Sequence, residues 1–122
     1  MVSSSQNSQS ESRAQLLELI NRLHREWEQT DSSSAPVDVS ALVASSPTQL
    51  TIPDLCELLR LDLDLQLRSG RKTKVESYFL SFPQLEHTPE QMDLICEEYR
   101  LRQKYGDKPS LGSYGARFPH LL

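Results

Sequence analysis

The sequence repeats at an interval of 36 residues, and this limits the possible folds more than any other feature. Residues 67–85 (LRSGRKTKVESYFLSFPQL) align without gaps with residues 103–121 (QKYGDKPSLGSYGARFPHL). The identical pairs include Gly70 and Gly106, Lys72 and Lys108, Ser77 and Ser113, Tyr78 and Tyr114, Phe82 and Phe118, and Pro83 and Pro119. Such a period is typical of repeat proteins, in which each unit covers the apolar face of its neighbour.

The same shift toward the N-terminus finds a third, degenerate copy, which has few identical residues but keeps the apolar positions and the terminal proline. Its aligned sets are Leu23, Leu59 and Ile95; Trp27, Leu63 and Tyr99; Val39, Val75 and Leu111; and Pro47, Pro83 and Pro119. We therefore predict a disordered N-terminal tail at 1–11, a degenerate helical repeat at 12–50, a second repeat at 51–86 and a third at 87–122. Residues 31–36 (DSSSAP) are expected to form a flexible polar linker.

Each unit is predicted to contain a long helix, a glycine turn, a short helix and a Phe-Pro stop. Thr51 and Thr88 are typical N-caps and each is followed closely by proline, whereas Gly70 and Gly106 occupy positions suited to a left-handed C-cap. The leucines in 59–67 alternate as in a strand, but that run has no β-branched residue and favours helix. The fold class is therefore all-α, with tandem helical repeats packed as one small domain.

The short helices should begin at local caps and point their apolar residues inward. Thr73 with Glu76 matches a capping box, and Asp38 and Ser110 are the equivalent caps in the other units. The residues expected to face the core are Leu16, Leu17, Ile20, Leu23 and Trp27 in the first long helix, Val75, Tyr78 and Phe79 in the second unit, and Leu111 and Tyr114 in the third.

Composition and charge exclude several classes of protein. The 122-residue chain carries a net charge of −4, which argues against broad binding to nucleic-acid phosphates. No apolar run approaches the roughly 18 residues that a membrane span needs. Cys56 and Cys96 lack metal-ligand or disulfide-framework spacing and are interpreted as small buried apolar residues. A cytoplasmic protein without a cofactor is the simplest expectation.

No set of residues has the spacing of a catalytic or metal site, so we do not expect an enzyme. The three histidines, His24, His87 and His120, are scattered and are interpreted as surface residues. The paired acids, Asp62 with Asp64 and Glu97 with Glu98, are interpreted as parts of solvated helix faces.

Residues 58–85 and 94–121 resemble the helical segment that precedes the catalytic domain in many planctomycete-type bacterial serine/threonine protein kinases. That segment has a leucine-rich helix, a glycine turn followed by Pro-Thr or Pro-Ser, then Glu-x-Tyr-Leu and Arg-Phe-Pro. Here the turn is GDKPS at 106–110, followed by Tyr114, Phe118 and Pro119; the earlier unit departs from the pattern at Thr73 and Ser81. The kinase's own catalytic motifs have no counterpart in this chain, so the resemblance implies a kinase-associated segment and no catalytic residue.

The leading hypothesis is a non-catalytic protein-interaction or regulatory module of bacterial serine/threonine kinase signalling. The alternative is a structural spacer or autoinhibitory segment that acts on an attached kinase domain. The candidate partner contacts are Tyr78, Tyr114, Arg71, Lys72 and Lys108. Two interpretations stay open for the basic turn residues: they complement the helix C-termini, or they form a docking patch for an acidic or phosphorylated partner. An enzyme completed by oligomerisation and a DNA-binding helix-turn-helix are the less favoured hypotheses, and the sequence leaves the oligomeric state open.

Overall fold

A computed structural model describes residues 4–30 and 37–121, with side chains from residue 9 onward, and every regular element in those ranges is helical. The helices are α1 (Ser4–Glu28), α2 (Val39–Ala44), α3 (Ile52–Arg68), α4 (Glu76–Ser81), α5 (Pro89–Tyr105) and α6 (Leu111–Arg117), with a 3₁₀ turn at Pro83–Leu85. The all-α prediction is confirmed, and the helices pack as one small domain. The division into three tandem repeats stays a prediction, and the linker predicted at 31–36 lies outside the described residues.

Local side-chain caps begin four of the helices, as the sequence predicts. The capping residues are Asp38 at α2, Thr51 at α3, Thr88 at α5 and Ser110 at α6, each of which accepts a hydrogen bond from a backbone N–H two or three residues later. These bonds satisfy N–H groups that have no partner within the helix. The short polar side chains before each helix therefore determine where it begins.

Helix α4 is the exception, because the predicted capping box of Thr73 and Glu76 does not form. The Thr73 hydroxyl instead donates a hydrogen bond to the side-chain oxygen of Gln66. The backbone N–H of Val75, the residue before α4, donates to the carboxylate of Glu98 at 2.9 Å. A side chain from α5 thus takes the role that the sequence assigned to a local cap.

The three long helices run parallel, with α3 packed against both α1 and α5. The contacts show the parallel direction, because early residues of one helix meet early residues of the next and late residues meet late ones. Helix α1 contacts α3 through Ser12 and Asp54, and it contacts the turn after α3 through Trp27 and Arg71. Helix α3 contacts α5 through Arg60 and Glu97 and through Arg68 and Tyr105. The wide apolar arc of α3 is explained by these two neighbours: its buried leucines are Leu55, Leu58, Leu59, Leu63 and Leu67.

Several side-chain predictions are wrong. Leu17 is exposed, and Leu19 takes its expected place in the core. Leu111, expected to face inward, is the first residue of α6 and has 69% of its surface exposed. Cys56 is buried as expected, but Cys96 is exposed.

The prediction of a disordered tail at 1–11 is also wrong for residues 4–11, which belong to α1, while residues 1–3 lie outside the described residues.

Among the helices of the described ranges, none combines the length and the apolar composition needed to cross a membrane.

Candidate functional site

The turns that follow α3 and α5 meet at one end of the bundle and enclose a cavity of about 330 Å³. We call this cavity the turn groove. Its lining residues are Leu67, Gly70, Arg71, Lys72, Thr73, Lys74, Arg102, Tyr105, Gly106 and Asp107. Four of these side chains are basic and one is acidic, so the groove is a cationic concavity in a chain whose net charge is negative.

The first wall of the turn groove is built by a glycine C-cap. Gly70 has a φ of +90°, which glycine adopts at low cost because it has no Cβ. The N–H of Gly70 donates to the carbonyl of Leu67, and the N–H of Arg71 donates to that of Gln66. This pair of bonds is the Schellman motif. It ends α3 and directs residues 71–74 over the groove, so the C-cap prediction at Gly70 is confirmed.

The second wall is built differently, and the left-handed conformation predicted for Gly106 is wrong. Gly106 is extended, with a φ of −127°, and its N–H donates to the carbonyl of Arg102 at 2.9 Å. Lys108 instead takes the left-handed conformation, with a φ of 48°. The turn is fixed here by the side chain of Arg102, which donates to both carboxylate oxygens of Asp107 at 2.9 and 2.7 Å.

Charge in the turn groove is not evenly available to a ligand. Arg102 is held by Asp107, and its pKa is raised above the usual arginine range, first by this hydrogen bond. Lys72 and Lys74, by contrast, are exposed at the rim. The ring of Tyr105 adds a flat surface whose centroid lies 5.0 Å from the ammonium nitrogen of Lys104. The Lys104 hydrogen bond lowers the pKa of the Tyr105 hydroxyl.

The five candidate contacts predicted from sequence divide into two groups. Arg71 and Lys72 line the turn groove, whereas Lys108 is exposed but lies outside its lining. Tyr78 and Tyr114 are buried, with 3% and 2% of their surface exposed, so their assignment as surface contacts is wrong. Both rings pack in the core while their hydroxyls reach buried carboxylates.

The two carboxylates belong to Asp62 and Glu98, which were wrongly expected on solvated helix faces. Both residues are fully buried. The Tyr78 hydroxyl donates to Asp62 at 2.6 Å, and the Tyr114 hydroxyl donates to Glu98 at 2.5 Å. A sequence pattern could have indicated these pairs, because in both units the tyrosine follows the acid by sixteen residues.

The two buried acids differ in how their charge is compensated. Burial raises the pKa of Asp62, and hydrogen bonds from Tyr78 and Gln66 offset only part of this effect. Burial also acts to raise the pKa of Glu98, but hydrogen bonds from Arg117 and Tyr114 bring it below the usual value. Burial raises the pKa of Tyr114 to about 12, with Glu98 adding to the shift. These groups form internal networks rather than an open site.

The other polar residues singled out in the sequence are dispersed. His24, His87 and His120 are all exposed, in agreement with their interpretation as surface residues. Within the described ranges, no three His, Cys, Asp or Glu side chains converge as a metal site requires.

No protein-family model matches this chain, no curated protein is detectably similar to it, and no solved structure matches it. The resemblance to the kinase segment therefore depends on the quoted motifs alone, and the turn groove is the main geometric basis for a functional hypothesis.

Proposed function

We propose that this chain is a non-catalytic helical protein-interaction module, and that its turn groove receives an acidic or phosphorylated segment of a partner protein. The observation that carries the proposal is the placement of Arg71, Lys72 and Lys74 on one concave surface. On the basis of the motif resemblance, we propose that the module acts in bacterial serine/threonine kinase signalling. The kinase of such a system produces phosphorylated protein segments, which are the kind of ligand that a basic groove would bind.

The geometry supports an anionic ligand for two reasons. Lys72 and Lys74 are exposed residues, and both belong to the lining of the turn groove. Clustered basic side chains bind phosphate and carboxylate through charge-assisted hydrogen bonds, which are stronger than neutral ones. A concave surface also reduces the solvent screening that weakens such contacts elsewhere on a protein.

A catalytic use of the turn groove has little support in its lining. Thr73 is the one hydroxyl nucleophile of the serine or threonine type among the lining residues, and it donates its proton to the amide oxygen of Gln66. A nucleophile needs an adjacent base to accept that proton, and an amide oxygen is not such a base. Binding without chemistry is the function that these groups support.

Fluorescence anisotropy with short labelled peptides tests the proposal. We would compare a phosphoserine peptide, a peptide with glutamate in its place and a serine peptide, each titrated with the full chain. We expect the phosphoserine peptide to bind most tightly and the serine peptide at least ~10-fold more weakly, with affinity falling as salt rises.

Matched charge reversals locate the binding. Lys72→Glu and Lys74→Glu should each weaken the phosphoserine peptide by ~10-fold or more, while Arg25→Glu makes the same change of charge on an exposed position of α1. If Arg25→Glu and Lys72→Glu weakened binding of the phosphoserine peptide equally, the effect would come from the net charge of the chain alone, and the proposal would be contradicted. Equal affinity for all three peptides would contradict it as well.

A further inference from the structure

Helix α5 lies at the end of the row of parallel long helices, with α3 packed on one of its sides. The opposite side of α5 presents Met92, Cys96, Tyr99 and Gln103, which recur at intervals of three and four residues and therefore share one face of the helix. Cys96 is exposed, and the other three are half-buried. We call these four residues, together with Leu111 of α6, the end face.

The positions 36 residues before the end face form a surface that α5 covers. Cys56 is buried there, and its sulfur lies 3.9 Å from the carbonyl oxygen of Glu90 in α5. Val75, the counterpart of Leu111, is completely buried, whereas 69% of Leu111 is exposed. The end face is thus the counterpart of a helix–helix interface, and it is open in the part of the chain that the structure describes. The counterparts of its α5 residues are Cys56, Arg60, Leu63 and Leu67, of which all but Arg60 are buried.

The other end of the row of helices is polar. The side of α1 that points away from α3 carries Glu18, Asn21, Arg25 and Glu28, all of them exposed, with the exposed Leu17 at its edge. Arrays of stacked helical units need such a polar outer face on their terminal units to remain soluble. Helix α1 has this polar face, whereas the apolar residues of the end face favour a partner that covers them.

The end face is complementary to a second copy of itself. Asp93 and Arg100 lie along one edge of it, three residues before and four residues after Cys96, and both are exposed. When two copies of α5 pack antiparallel about a two-fold axis at Cys96, Asp93 of one copy lies within about 1.5 Å, measured along the helix axis, of the height of Arg100 in the other. The same axis places Met92 of one copy beside Tyr99 of the other, which is a favourable sulfur–aromatic pair. Arg100 also donates to Glu97 of its own helix at 3.4 Å, but a guanidinium has enough N–H groups for both carboxylates.

We infer that two copies of this chain bind each other through their end faces, with their α5 helices antiparallel and the two Cys96 residues facing each other across the two-fold axis. Such an interface closes on itself and ends at a dimer. Packing the end face of one copy against α1 of another would instead bury Glu18 and Arg25 against apolar side chains, at a cost in desolvation, and would continue into an open chain. The inference goes beyond the proposed function, because it concerns a different surface and a different partner.

Sedimentation equilibrium of the full chain, at concentrations that span about a thousand-fold, tests the inference. We expect a reversible equilibrium between monomer and dimer without larger species. Leu111→Asp should weaken dimerisation ~10-fold or more, because it removes apolar surface from the interface. Leu80→Asp makes the same change at an exposed leucine of α4, outside the end face, and should leave dimerisation unchanged. A monomer at every concentration, a growing series of larger species, or equal effects of the two substitutions would overturn the inference.

An exchange of charges tests the antiparallel arrangement. Arg100→Asp should weaken the dimer ~10-fold, because it places two negative charges opposite each other. Adding Asp93→Arg to the same chain restores opposite charges across the interface and should recover the affinity to within ~3-fold of the native value. Both positions are exposed, so these substitutions should leave the fold intact. A double variant that dimerises no better than Arg100→Asp would overturn the inference.

Crosslinking with a short bis-maleimide gives a second measurement. Cys96 is exposed and Cys56 is buried, so the reagent reacts with Cys96. It should link two chains at concentrations at which they associate, whereas dilute chains are modified singly. Cys96→Ser should abolish the covalent dimer, and Arg100→Asp should reduce its yield. An unchanged yield in either variant would contradict the placement of Cys96 at the two-fold axis and overturn the inference.

Discussion

Asp62 and Glu98 occupy equivalent buried positions, yet their pKa values shift in opposite directions. Each accepts a hydrogen bond from a tyrosine sixteen residues later, and each is fully buried. Arg117 donates to Glu98, whereas the residue 36 positions before Arg117 is Ser81, which has no positive charge. The hydrogen bond from Arg117 is the largest of the effects that lower the pKa of Glu98, and the Tyr114 hydroxyl and the backbone N–H of Val75 add to it, whereas no basic side chain donates to Asp62 in the described part of the chain.

The first prediction concerns removal of each negative charge. Glu98→Gln should lower the free energy of unfolding at pH 7 by about 3 kcal/mol, because it leaves Arg117 and Arg102 without a buried partner. Asp62→Asn should change it by less than about 1 kcal/mol, in the stabilising direction, because it removes a charge that burial disfavours. Urea unfolding of both variants measures the difference, and equal losses would contradict this account.

The second prediction is that the effect of Asp62→Asn depends on pH. A carboxyl with a raised folded-state pKa contributes stability below its unfolded value of about 3.8, and this contribution is lost as pH rises through the folded pKa. The advantage of Asp62→Asn over the native chain should therefore be small at pH 4 and grow toward pH 7. Unfolding curves across that range provide the measurement.

Glu98→Gln supplies the opposite control for the pH experiment. The folded-state pKa of Glu98 is lowered, so its contribution is present above its unfolded value of about 4.5 and is lost as pH falls through the folded pKa. The deficit of Glu98→Gln should thus shrink on acidification. Parallel pH profiles for the two variants would show that the two acids do not differ as described.

The third prediction separates the two turn glycines. Gly70→Ala should cost about 1 kcal/mol of folding free energy, because Gly70 has a positive φ that L-residues adopt with strain. An added Cβ at Gly70 would meet no atom within 4 Å, so this cost comes from the backbone alone. Gly106→Ala should change the free energy of unfolding by less than about 0.5 kcal/mol, because its φ is negative and suits an L-residue. The nearest atom to the new Cβ would be the Arg102 carbonyl oxygen at 3.4 Å, which is the near limit of ordinary van der Waals contact. Thermal unfolding of the pair tests this, and a larger loss at Gly106 would be contrary to it.

The fourth prediction uses the two thiols. Burial raises the pKa of Cys56 to about 11, whereas Cys96 is exposed. Because the thiolate is the reactive form, Cys56 should react with a disulfide reagent at pH 8 at least ~100-fold more slowly than Cys96 in the folded protein. Cys96→Ser should remove the fast phase and leave one thiol that reacts on unfolding. A fast phase that survives in Cys96→Ser would show that Cys56 is accessible.

Local sequence signals determined much of this structure. The oxygen-bearing side chains of Asp38, Thr51, Thr88 and Ser110 define four helix starts through bonds to backbone N–H groups only two or three residues away. Gly70 ends α3 through its own backbone freedom. Such features need no information from distant residues, and they were predictable for that reason.

Only the tertiary structure determined which charged and aromatic side chains along the helices are buried and which groups they contact. Asp62 and Glu98 look like solvated acids in sequence, and they are buried because Tyr78, Tyr114 and Arg117 reach them from other elements. The cap of α4 likewise comes from Glu98 rather than from Thr73. Helical periodicity identifies an apolar face, but burying a charge depends on a hydrogen-bond partner brought from far along the chain, and that partner is set by how the helices pack.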